Sequence, residues 1–182
     1  MEIKKYAAID IGSNAIRLLV NNIIIRKGEE AQFKKSSLVR VPIRLGADSF
    51  VTGKISSENK KRMIDALNAF KLLMDVHKVE KYRACATSAM REASNGLEVI
   101  EEIYKETGVQ IDLIDGKTEA EIIFSTDLKE VIKDDFSYLY VDVGGGSTEF
   151  TVFSNGKLLH SNSFQFGKVR LLTKKAYYHH PW

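Results

Sequence analysis

Only one cysteine, Cys85, occurs in the 182 residues, so no intrachain disulfide can form. It stands between Ala84 and Ala86, where a small residue packed inside a strand is expected. No apolar run approaches the roughly 20 residues needed to cross a bilayer. Met1 to Tyr6 lack the apolar stretch of a secretory signal, which makes a cytoplasmic location without membrane contact the default expectation. A strong charge excess is absent as well. Lys and Arg number 27 against 24 Asp and Glu, a net charge of +3, and the basic residues are scattered among acids. They form no run that would make the basic footprint of a nucleic-acid-binding domain, and nucleic acid is not an expected partner. A basic cleft for a polyanion stays compatible with this balance, since net charge does not fix a local field.

What is present suits a globular domain. Hydrophobic residues make up 44% and charged residues 28%, and the length allows one domain, or one and part of another. Tyr6–Ile11 and Ala15–Ile25 read as strands around the turn residues Gly12-Ser13-Asn14, and Ala31–Val41 as a third strand after Lys27-Gly28-Glu29-Glu30. Ser56 is a candidate N-cap, with Glu58 in the first turn. Met63, Leu67, Phe70 and Met74 follow at helical spacing. Val79–Ala86 predicts a strand. Asn95 with Glu98 resembles a capping box for a helix that Gly108 closes. Val109–Ile114 predicts another strand, and Thr118 with Glu121 a second capping box leading into Ile122, Ile123 and Phe124. Tyr138–Val143, Glu149–Phe153 and Lys157–Phe164 then read as three strands, with Ser154-Asn155-Gly156 turning between the last two.

The two strand meanders share a pattern. Ala8-Ile9-Asp10-Ile11-Gly12-Ser13 and Tyr140-Val141-Asp142-Val143-Gly144-Gly145 both place an aspartate between apolar residues and end on glycine. Two copies indicate a duplication across a cleft rather than a solenoid. In Asp142 to Glu149 the three glycines allow the backbone to approach an anion, and successive amides can converge on a phosphate. A ligand-free glycine-rich hairpin is the competing reading. The loop Asp10-Ile11-Gly12-Ser13-Asn14 offers a second carboxylate and small polar donors, or else an ordinary hairpin in which Asn14 supplies a left-handed residue. Arg91 can grip phosphate oxygens in bidentate fashion or pair with Glu92. His179 and His180 are neighbours that would point to opposite faces of a strand, and His77 and His160 are isolated; no histidine is given a catalytic or metal role.

Four blocks in order carry a resemblance: Ala8 to Asn14, Arg17-Leu18-Leu19-Val20, Thr87 to Ala93, and Asp142 to Glu149. Together they resemble the exopolyphosphatase and guanosine-pentaphosphatase (Ppx/GppA) family, and Gly167-Lys168-Val169-Arg170-Leu171 resembles a fifth block. The resemblance implies an α/β, actin-like (ribonuclease H-like) ATPase/phosphotransferase fold. It implies a complete first domain at residues 1–130, with a mixed five-stranded sheet, and at 131–182 the opening strands of a truncated, duplicated second domain. The implied activity is hydrolysis of a terminal phosphoanhydride of polyphosphate or guanosine pentaphosphate. Glu119, in Gly116-Lys117-Thr118-Glu119-Ala120, would be the base that activates water; a plain first-turn acid is the alternative. Asp10, Ser13, Asn14, Arg91, Gly144, Gly145, Gly146, Ser147 and Thr148 would bind phosphate, and Asp142 and Glu149 would hold Mg²⁺.

Ala15 and Glu121 depart from the family pattern, which commonly has serine and often arginine there. The tail Lys174–Trp182 stands where the second domain's first long helix should develop. Two other readings stay open: a non-catalytic phosphate-binding or vestigial fragment, and an actin-like ATPase or sugar kinase. A homodimer, or a partner completing the second domain, is an expectation of the same kind.

Overall fold

The structure is a computed structural model that describes residues 1–123, 135–155 and 157–172. Phe124, Gly156, the 130/131 boundary, the tail from Lys174 and the His179-His180 pair lie outside the described residues.

Strands β1 (Glu2–Ile11), β2 (Ile16–Ile25) and β3 (Gln32–Val41) form the first meander, with β1 starting four residues before the apolar run suggested. Alternation sets their faces: Ala7, Ile9 and Ile11 of β1 and Ile16, Leu18 and Val20 of β2 are all buried. The β1–β2 register places Ile11 opposite Ile16 and Asp10 opposite Arg17, so that pair projects from the other face at the turn end.

Helix α1 (Leu45–Thr52) was not legible in the sequence. It is short, contains Gly46, starts after a left-handed Arg44 with no side-chain cap and ends at a left-handed Gly53. Tertiary bonds hold it: Gly46 N–H donates to the Ser13 carbonyl at 2.7 Å and Arg44 N–H to the Asn14 carbonyl at 2.9 Å. Helix α2 (Ser57–His77) is the one its periodicity predicts, with Ser56 accepting from the Asn59 amide at 3.2 Å and Met63, Leu67, Phe70 and Met74 buried.

Strand β4 (Lys81–Ala86) pairs parallel with β1, followed by α3 (Ser88–Glu92), α4 (Gly96–Thr107) and β5 (Ile111–Leu113), which pairs parallel with β4. Asn95 does not cap α4. Its side-chain carbonyl accepts from the Ile55 amide and its NH₂ donates to the Ile55 carbonyl, both at 2.9 Å, so it ties α4 to the start of α2 instead. Gly108 ends α4 in the left-handed region (φ 70°), its N–H bonded to the Tyr104 carbonyl, as expected. Helix α5 (Gly116–Ile123) is capped one turn earlier than the Thr118–Glu121 pattern suggests: the Asp115 carboxylate accepts from the Thr118 amide at 2.7 Å. That contact holds the Asp115 carboxyl below its usual range.

The first sheet is mixed and five-stranded, in the order β3-β2-β1-β4-β5. Its inner face packs on α2 and α4 around Phe70, Leu67, Ile103 and Met90. Phe70 is 1% exposed, so Phe70→Ala is expected to lower the unfolding free energy by about 3–5 kcal/mol. Urea melts monitored by circular dichroism would measure it; a loss under about 1 kcal/mol would contradict this account of the core. Strands β6 (Ser137–Val143), β7 (Thr148–Ser154) and β8 (Lys157–Phe164) form a separate antiparallel sheet, followed by a helical turn at residues 168–172. Among the described residues no helix is long and apolar enough to cross a membrane.

Candidate active site

The turn ends of the two hairpins face each other across a cleft of about 280 Å³. Each is built the same way. In the first, Gly12 N–H donates to the Ala15 carbonyl at 3.1 Å; in the second, Gly144 N–H donates to the Ser147 carbonyl at 2.9 Å. Arg17 follows Asp10, and Glu149 follows Asp142, at an offset of seven positions, and both pairs are directly cross-strand. The duplication read from Asp-x-Gly thus extends to the residue opposite each aspartate, and there the copies differ in charge. Asp10 accepts from Arg17 Nη1 at 2.6 Å. Asp142 meets a second carboxylate, Glu149, which is 5% exposed and accepts from Ser163 Oγ at 2.8 Å. Burial and the Glu149 charge push the Asp142 carboxyl above its ordinary value.

Helix α5 brings Glu119 into the same cleft. Its place in the first turn should favour the anion. Burial outweighs that and, helped by Glu149, Asp10 and Asp142 against the opposing Arg91 charge, pushes the carboxyl up to about 7. A carboxyl poised there is half ionised at neutral pH and still a competent proton acceptor.

Four carboxylates (Asp10, Glu119, Asp142, Glu149) and two cations (Arg17, Lys168) line the cleft. Two cations do not offset four acids, so a polyanion could enter this cleft only together with a further cation. Among the described residues no group of three or more His, Cys, Asp and Glu is arranged to hold one alone. The cross-strand Asp142 and Glu149 do fit Mg²⁺, which is commonly held by one or two carboxylates with water and substrate phosphate completing its shell.

Residues 23–177 match the profile of the Ppx/GppA phosphatase family. The chain belongs to that family. It is 33% identical over 172 residues to a bifunctional 3-dehydroquinate synthase/phosphatase of Fusobacterium nucleatum, covering 92% of this chain and 26% of the relative. It is 31% identical over 179 residues to exopolyphosphatase 2 of Mycobacterium tuberculosis, covering 94% and 54%. The crystal structure of an exopolyphosphatase from Cytophaga hutchinsonii superposes with a TM-score of 0.83 at 31% identity, covering 94% of this chain and 53% of that one. The chain therefore spans about half the length, or less, of these relatives. Its fold is the α/β, actin-like one of the Ppx/GppA proteins.

Within this Ppx/GppA cleft the structure brings together Asp10, Ser13, Asn14, Glu119, Asp142, Gly144, Gly145, Ser147 and Glu149. Three other residues named from the sequence lie outside the lining. Arg91 turns its Nη1 to the Ile114 carbonyl at 2.6 Å, just before the Asp115 cap of α5. Thr148 is buried and donates to the Phe166 carbonyl. Gly146 is buried against α1 and α3, where an added Cβ would come within 2.3 Å of Phe50 and 2.7 Å of Ser88 Oγ. Gly146→Ala is therefore expected to cost about 1–3 kcal/mol of stability. Thermal melts would check it, and an unchanged midpoint would refute the close approach.

Sequence reasoning assigned no role to Arg17, Thr87, Ser88 or Lys168, all of which line the cleft. The signal was available, since each stands inside one of the blocks quoted for the family.

Proposed function

We propose that this chain hydrolyses the terminal phosphoanhydride of inorganic polyphosphate, releasing orthophosphate. The observation that carries the reading is Glu119, a carboxyl raised to about 7 in a cleft walled by both phosphate loops. Two exopolyphosphatases among the relatives favour polyphosphate over guanosine pentaphosphate as the substrate.

The terminal phosphoryl group would sit between the loops, where the amides of Ser13, Asn14 and Gly145 make no hydrogen bond among the described residues. Ser13 Oγ, 3.0 Å from Ser88 Oγ, can accept from that hydroxyl and donate its own proton to substrate. Lys168 and Arg17 supply positive charge toward the phosphoryl oxygens. Mg²⁺, held by Asp142 and Glu149, would supply the divalent charge that offsets the polyanion. Glu119 orients a water molecule and takes its proton as the oxygen attacks phosphorus, while the bridging oxygen leaves with the remaining chain.

The test is orthophosphate release from long-chain polyphosphate, with and without Mg²⁺, with guanosine pentaphosphate run in parallel. Metal-dependent release from polyphosphate is the expected result. A folded chain that binds polyphosphate without releasing phosphate would overturn the catalytic reading in favour of a binding fragment, and faster release from the nucleotide would reverse the substrate assignment.

A further inference from the structure

Helix α3 contains only five residues, Ser88 to Glu92, yet three of its side chains hold three different parts of the site. Ser88, Arg91 and Glu92 are spaced i, i+3 and i+4, which places them along one side of a helix. Ser88 Oγ lies 3.0 Å from Ser13 Oγ in the first loop. Arg91 donates to the Ile114 carbonyl at 2.6 Å, next to the cap of the helix that carries Glu119. Glu92 accepts from Arg170 Nη2 through both oxygens, at 2.8 and 2.6 Å.

Arg170 belongs to the helical turn after the second sheet, 78 residues away in sequence. Its Nε donates to the Gly146 carbonyl at 2.9 Å, and its guanidinium stacks 4.1 Å from the centre of the Phe50 ring of α1. The pair is largely shielded, with side-chain exposures of 15% for Arg170 and 24% for Glu92. Shielding gives the pair directional force, because separating it leaves a charge poorly solvated. Neither residue lines the cleft.

We propose that α3 is a three-way clamp and that Glu92 and Arg170 are positioning residues, their ion pair setting the spacing between the two phosphate loops. Without it the glycine loop of the second hairpin would be held by packing of Gly145 and Gly146 on Ser13, Phe50 and Ser88, with α5 against β7 and β8 as the other contact between the two units. Packing without directional bonds permits sliding, whereas a planar guanidinium bound through three hydrogen bonds does not. The catalytic consequence rests on the hydrolytic reading given above; the spacing itself does not.

The test is a distance measurement. Nitroxide labels at Lys105→Cys and Leu159→Cys, both exposed and one on each side of the cleft, would report the spacing by pulsed electron paramagnetic resonance in a Cys85→Ala background. The parent should give one narrow distribution. Glu92→Gln, which keeps shape but loses charge, and Arg170→Lys, which keeps charge but loses the planar fork, should each broaden it or add a second population. Distributions that superimpose on the parent's in both variants overturn the clamp. If Glu92→Gln does not fold, Arg170→Lys decides alone. Where phosphate release is measurable, kcat should fall roughly tenfold to a hundredfold while KM stays within about twofold, as for a misplaced but intact site. Equal kcat with a broadened distance would also overturn the positioning role. Absence of release from the parent would count against the hydrolytic reading and leave the distance test valid.

Discussion

Glu119→Gln is expected to lower kcat for phosphate release from polyphosphate by about 10²- to 10⁴-fold, the range a positioned general base contributes. Glutamine keeps the shape of the side chain and its place in the first turn of α5 but cannot accept a proton. The parent should show an acid limb, because protonated Glu119 is no longer a base and the protonated form grows as pH falls through its folded pKa. In the metal-free protein that pKa lies at about 7, raised by burial and then by the Glu149 charge. A cation between Asp142 and Glu149 offsets two of the charges that raise it, so the limb of the Mg²⁺-dependent reaction should lie at or below that value. A pH–rate profile of kcat/KM checks this. Turnover in Glu119→Gln within a factor of two of the parent, or an acid limb displaced well above pH 7, would remove Glu119 from the role of base.

Asp142→Asn should have opposite effects on stability and activity. In the parent, Asp142 and Glu149 are directly opposite on adjacent antiparallel strands, and like charges so placed are destabilising on the order of 0.2–1 kcal/mol. The first hairpin avoids the problem by placing Arg17 opposite Asp10. Asparagine removes the repulsion, so the variant in chelator should melt later than the parent. The sign with pH follows from the raised folded pKa of Asp142. Protonation favours the fold, so this contribution is present below the ordinary carboxylate range and is lost as pH rises through the folded value. The advantage of the variant therefore appears at neutral pH and disappears in acid. Mg²⁺ should raise the melting temperature of the parent and have a much smaller effect on the variant, and metal-dependent release should be lost. A variant that melts earlier than the parent in chelator and gains equally from Mg²⁺ would show that the aspartate is a structural residue rather than a metal ligand.

The sequence displayed the elements whose stability is local. Met63, Leu67, Phe70 and Met74 recur at helical spacing because one face of α2 is buried along its length. The two Asp-x-Gly turns are visible because each ends a strand of alternating burial, and their repetition is the sign in the sequence of a cleft. Boundaries and caps were less legible where a side chain had a remote alternative: Asn95 pairs with Ile55 rather than capping α4. The short helices α1 and α3 went unread for a related reason. Each has too few residues to stabilise itself, and both are held by contacts to other elements, such as the Ser13 and Asn14 carbonyls and Arg170.

By itself, then, the sequence displayed the strands, the longer helices, the two Asp-x-Gly turns and the acidic residues beside them, because these depend on periodicity, turn chemistry and residue type; the class of fold came through the family resemblance. The tertiary structure decided how the charges are used. It set Arg17 against Asp10 and Glu149 against Asp142, raised the Glu119 carboxyl by burying it, and turned Arg91 and Glu92 toward partners 23 and 78 residues away. Charge interactions depend on distance and dielectric, and both come into being only when remote segments pack together.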